Sequence, residues 1–123
     1  MTAFSIQERI DYLSSYFQED YMEDNIEILN ERFKKTLVFG AELPALLKAA
    51  NTLRDQKISA LVISGHKISE AKLFAHVEVN MVEELKSLRS TISQAHRTIQ
   101  SQISVWKEDH NRHMFAGNTP NKS

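Results

Sequence analysis

The strongest constraint on this chain is a gap in its punctuation. From residue 66 to residue 116 there is neither a glycine nor a proline. Inside that gap Met81, Leu85, Leu88, Ile92, Ala95 and Ile99 alternate at spacings of four and three. Extended forward the series reaches Gln102 and Trp106, and backward it reaches Glu78, Phe74 and Ala71. This is an a/d heptad seam with Glu78 and Gln102 as polar interruptions, the pattern of a helix that buries one narrow stripe. A helix over about 68–108 would be ~60 Å long at ~1.5 Å per residue. A compact globule of 123 residues has a radius of gyration of only ~14 Å. The expectation is therefore an elongated molecule.

Three Gly and two Pro are too few for an all-β sandwich or barrel, which needs a turn every 8–12 residues or so. Gly40, Pro44, Gly65, Gly117 and Pro120 instead divide the chain into stretches 1–39, 45–64 and 66–116 and a tail. Ser5 and Glu8 have the spacing of a capping box, and Ile6, Ile10, Leu13 and Phe17 then follow one helix face. After a polar patch at 18–20 the stripe resumes in a new phase as Met22, Ile26, Leu29, Phe33 and Leu37. The shift predicts a bend or a second helix near 18–25. Lys34 and Lys35 suit a last turn and Gly40 the position just past it. Pro44 suits a first turn, ahead of a stripe of Leu43, Leu46, Leu47, Ala50 and Leu53. The β-branched run 58–63 reads as helix or as a buried strand pairing with 36–39. Gly65 reads as a helix stop. The tail 117–123 is expected to be disordered, which leaves 1–116 as a single helical domain.

Charge is nearly balanced, with fifteen Lys and Arg against sixteen Asp and Glu. A dedicated nucleic-acid binder relies on a cationic surface, so this balance argues against one. The distribution is uneven. Residues 1–31 hold Glu8, Asp11, Glu19, Asp20, Glu23, Asp24, Glu27 and Glu31 against Arg9 alone, while 85–107 hold Lys86, Arg89, Arg97 and Lys107 and no acid. The two segments are opposite in sign and should attract, within one chain or between copies. Lys86, Arg89 and Arg97 share roughly one helix face and form a possible basic contact face. Four cations among so many Ser, Thr and Gln make a weak electrostatic footprint.

There is no cysteine, which excludes disulfides, thiolate metal sites and cysteine nucleophiles. His110 and His113 are three apart but lack a third ligand at a recognised spacing, and no paired Glu-x-x-His motif occurs. No metal, cofactor or catalytic set is expected. The N-terminus lacks the basic and apolar regions of a signal peptide, and no apolar run approaches a membrane span. A soluble cytoplasmic protein without membrane contact is the expectation.

The reading is all-α: an elongated antiparallel helical bundle with one long coiled-coil-like C-terminal helix. The alternative is a small α+β domain with strands near 36–39 and 58–63 and a ligand or enzymatic site near His66. A lone helix of this length needs cover for its seam. Met81, Leu85, Leu88, Ile92, Ala95, Ile99 and Trp106 are thus the expected interface, against the chain's other helices, a second copy or another helical protein. The corresponding function is a non-enzymatic adaptor, scaffold or regulatory subunit, oligomeric or part of a larger assembly. A nucleic-acid accessory role through 85–107 is a weaker alternative.

Overall fold

The computed structural model describes residues 1–17 and 25–118, with side chains through Arg112. Four helices follow in order: α1 (Ala3–Tyr16), α2 (Ile26–Ile63), α3 (Ile68–Phe74) and α4 (His76–Asn118). No strand occurs among the described residues. Segments 36–39 and 58–63 both lie inside α2, which overturns the α+β alternative. β-branched residues lower helix propensity only slightly, and Ile58 and Leu61, three apart, are half-buried along the same helix.

The starts of α1 and α2 and the end of α2 have identifiable causes. Thr2 caps α1: its side chain accepts from the Ser5 N–H at 3.1 Å, and Ser5 Oγ accepts from the Thr2 N–H at 3.1 Å. The capping box therefore pairs Thr2 with Ser5, not Ser5 with Glu8, because the helix starts one turn earlier. Asn25 Oδ1 accepts from the Glu27 N–H at 2.9 Å and opens α2, so two helices account for the change of phase in the first stretch. The patch at 18–20 and Met22 lie outside the described residues. At the end of α2, Gly65 has φ 105°, a left-handed conformation open mainly to glycine. Its N–H donates to Val62 O, and the His66 N–H donates to Leu61 O. These two bonds form a Schellman motif, as expected of a stop at Gly65.

Gly40 and Pro44 do not form a turn. Both are inside α2, which runs unbroken for 38 residues. An interior proline removes one backbone hydrogen bond and costs ~3 kcal/mol. That cost is offset by burial on both sides of it: Thr36 and Phe39 before, Leu43, Leu46 and Ala50 after, all turned toward the core. Continuity also explains Leu37. Counting back from Ala50 through Leu46, Leu43 and Phe39 in steps of four and three reaches Thr36. Thr36 is accordingly buried, and Leu37 is 54% exposed. Lys34 and Lys35 are mid-helix, with Lys35 Nζ 5.8 Å from the Phe39 ring centre.

The third stretch is two helices. The break falls at Ala75, which has φ −92° and ψ 22° without help from Gly or Pro. α3 folds against α2 and α4 and buries Ala71 and Ala75, small residues that let backbones approach. The heptad series therefore stops short of its backward extension, and Phe74 is 58% exposed. From His76 onward α4 is 43 residues long, ~65 Å at ~1.5 Å per residue. Its backbone is helical through Asn118. Residues 119–123 lie outside the described residues.

α2 runs antiparallel to α4, with Thr36 beside His96 and Gly40 beside Ile92. α1 lies along the first half of α4, placed by Gln7 against Glu84 and by Arg9 against Glu42. One core joins Ile6, Ile10 and Leu13 of α1, and Phe17 just past its end, to Phe39, Leu43, Leu46 and Ala50 of α2 and to the α4 residues from Met81 to Ala95.

Candidate interaction surfaces

The seam was the expected interface, and the chain covers most of it. Met81, Leu85, Leu88, Ile92, Ala95 and Ile99 are all buried, packed by α1 and α2 in the first half of α4 and, among the described elements, by α2 near Ile99. In one folded chain none of the six is on the surface. Trp106 is half-buried and stacks on His110, with ring centres 4.9 Å apart and planes 7° from parallel.

The basic face is assembled as the spacing implies. Lys86, Arg89 and Arg97 are exposed and, with Ser90, Ser93 and Gln94, line one shallow depression along α4. Lys86 Nζ is 3.6 Å from Glu83 of the same helix. Among the described residues, no ion pair joins the acidic first segment to this basic one. The cross-helix pair instead uses the single base of that segment. Arg9 Nε and Nη2 donate to the two Glu42 carboxylate oxygens at 2.5 and 2.7 Å, a bidentate geometry. The Glu42 hydrogen bond raises the Arg9 pKa above its ordinary value against a smaller opposing effect of burial, so the guanidinium stays charged through the neutral range. Arg9 also lies 4.9 Å from the Tyr12 ring centre and 5.4 Å from that of Phe39. Phe39 in turn meets Tyr12, Tyr16 and Phe17 edge-on. This is a structural clamp between α1 and α2.

A second polar pair ties α2 to α4. Thr36 Oγ1 donates to Phe33 O at 2.6 Å and lies 3.0 Å from His96 Nδ1. With its hydroxyl proton committed to the carbonyl, Thr36 accepts from His96 Nδ1–H. Phe33 stacks on the His96 ring at 4.7 Å.

The surface that the sequence reading missed is at the α2–α3–α4 end. Val62 and Ile63 close α2, Ile68, Leu73 and Phe74 belong to α3, and Val77 opens α4; all six are exposed. Ile63 at 86% and Leu73 at 74% are the extremes. The signal was available: Ile63, Ile68 and Leu73 fall in none of the helical stripes. His66 sits beside this end, 3.5 Å from Glu70 and with its ring 5.3 Å from that of Phe74. It is a residue of a helix connection, and the strand-end site imagined for it has no strand to stand on.

Among the described residues no group of three or more His, Asp or Glu is placed to hold a metal ion. The His113 side chain lies outside them. Among the same residues no helix is long and apolar enough to cross a membrane. The architecture is that of an all-α helical bundle. Compared with family models, with curated proteins and with solved structures, the chain matches none.

Proposed function

We propose that this protein is a helical interaction module, an adaptor, scaffold or regulatory subunit that works by presenting a surface to other protein. The observation that carries the reading is the apolar end formed by Ile63, Ile68, Leu73 and Phe74. Large apolar side chains grouped on a surface mark interaction sites more often than they occur without purpose, and aromatic anchors favour hot spots. Leu73 and Phe74 project from a seven-residue helix whose small inward residues hold it close to the bundle. The heptad seam supplies the rigid rod behind this end, and the contact surface is the end itself.

The test is sedimentation velocity over a range of concentrations, comparing the wild type with a Leu73→Asp, Phe74→Asp double variant. Both positions are exposed, so helicity by circular dichroism should not change. The expected result is concentration-dependent association, or a co-purifying partner, in the wild type and its loss in the variant. If both proteins are monomeric and retain the same partners or none, the reading is wrong. Leu88→Asp is unsuitable for this purpose, because Leu88 is buried within the chain and an unpaired carboxylate there would unfold it.

A further inference from the structure

On the side of α2 away from the Arg9–Glu42 clamp, α2 and α4 enclose a groove of about 700 Å³ that no α1 residue lines. Its apolar surface is Pro44, exposed, and Leu47, half-buried, above the buried Leu43, Leu85 and Ile92. α1 occupies the other groove of the same helix pair by laying Ile6, Ile10 and Leu13 into it. The uncovered groove is thus the place where one more helix would complete the bundle on that side.

Its rims are cationic on both helices. Lys48 of α2 and Arg89 of α4 line it. Arg89 and Ser93 also belong to the adjoining depression that contains Lys86 and Arg97. The one carboxylate of the groove, Asp55, lies near its α2 end and accepts from Arg54 at 3.1 Å. Among the described residues, Lys48, Arg89 and Arg97 have no acidic partner.

These charges choose between occupants. A second copy placed across a two-fold axis would set Lys48 and Arg89 against the same cations, an arrangement that costs free energy. The α1 of a second copy carries only Glu8 and Asp11 against Arg9, and its apolar stripe is already buried in its own core. A nucleic acid would use the cations and leave the leucines idle. We propose that this groove docks an acidic amphipathic helix of a partner protein, its apolar stripe over Pro44 and Leu47 and its flanking carboxylates toward Lys48, Arg89 and Arg97. The site is separate from the apolar end formed by Leu73 and Phe74.

The probe is a labelled synthetic helix of three heptads, with leucine at the a and d positions and glutamate beside them, bound to the full chain and followed by fluorescence anisotropy. Its control carries lysine in place of every glutamate. The acidic peptide is expected to bind about tenfold more tightly than the control, the effect of two or three partly exposed ion pairs, and to lose that margin at high salt. An Arg89→Glu, Arg97→Glu variant, both positions exposed and their folding checked by circular dichroism, should reverse the preference. The Leu73→Asp, Phe74→Asp variant should leave it unchanged, which separates this site from the apolar end. Equal binding of the two peptides, no binding, or no response to the charge reversal would overturn the proposal. So would displacement of the peptide by a duplex oligonucleotide in the wild type, or self-association that the charge reversal abolishes.

Discussion

The two halves of α4 carry one heptad pattern and receive different cover. Met81, Val82, Leu85 and Leu88 face both α1 and α2 and belong to the three-helix core. Ile99 is equally buried but lies outside that core, opposite the start of α2. Since Thr36 is beside His96, ten residues along each antiparallel helix bring Ile26 level with Trp106. Beyond that point no described element accompanies α4. A regular stripe therefore says that a helix face is covered and is silent on how many neighbours cover it. The consequence is energetic: regions with fewer buried contacts open more readily, so the first half of α4 should anchor the fold and the second half should loosen first.

The largest test of this contrast is a pair of truncations. Leu85→Ala removes a side chain enclosed by two helices and should cost ~3–4 kcal/mol; Ile99→Ala should cost nearer ~2 kcal/mol. Chemical denaturation measures both, and equal losses would erase the distinction. Pro44→Ala restores a backbone bond within the three-helix section. It should stabilise the chain by ~2 kcal/mol, the interior-proline cost less the entropy that proline removes from the unfolded state. A loss of stability there would mean that α2 needs its proline.

Smaller effects probe the two-helix section. Thr36→Val deletes the acceptor for His96 and should cost ~1 kcal/mol, with amide exchange rising around residues 96–106 and unchanged around 81–88. Exchange rising equally in both halves would show that they open as one unit. The smallest expected effect is Gly40→Ala. A Cβ there would meet Ile92 Cγ2 at 3.7 Å, an ordinary contact, and alanine is the better helix former by ~0.5–1 kcal/mol. A destabilised variant would show that α2 and α4 cannot part even slightly at this crossing.

Much of this was legible before any fold was known. Ile6, Ile10, Leu13 and Phe17 are buried as their spacing implied, the seam from Met81 to Ile99 is buried throughout, and Gly65 stops a helix with the bonds its position suggested. The misreadings concern punctuation. Gly40 and Pro44 have the chemistry of a turn, yet their combined penalty is a few kcal/mol, and one buried stripe, Leu29, Thr36, Phe39, Leu43, Leu46 and Ala50, runs in a single phase across them. Ala75 has no breaker chemistry, and a helix ends there because α3 gains burial for Ala71 and Ala75 by folding back. The basic face could be read from Lys86, Arg89 and Arg97 alone. The apolar end was legible only in part: Ile63, Ile68 and Leu73 fall in no stripe, but that they gather at one end depends on three helices meeting there.

Periodicity along the chain determined which residues turn inward, because a helix repeats every 3.6 residues or so whatever its neighbours are. It also determined that the product is helical and long. Tertiary structure alone decided where the helices stop and what covers each length of the seam. Those outcomes depend on small local preferences set against the larger free energy of burying apolar surface, and only the assembled bundle contains both sides of that balance.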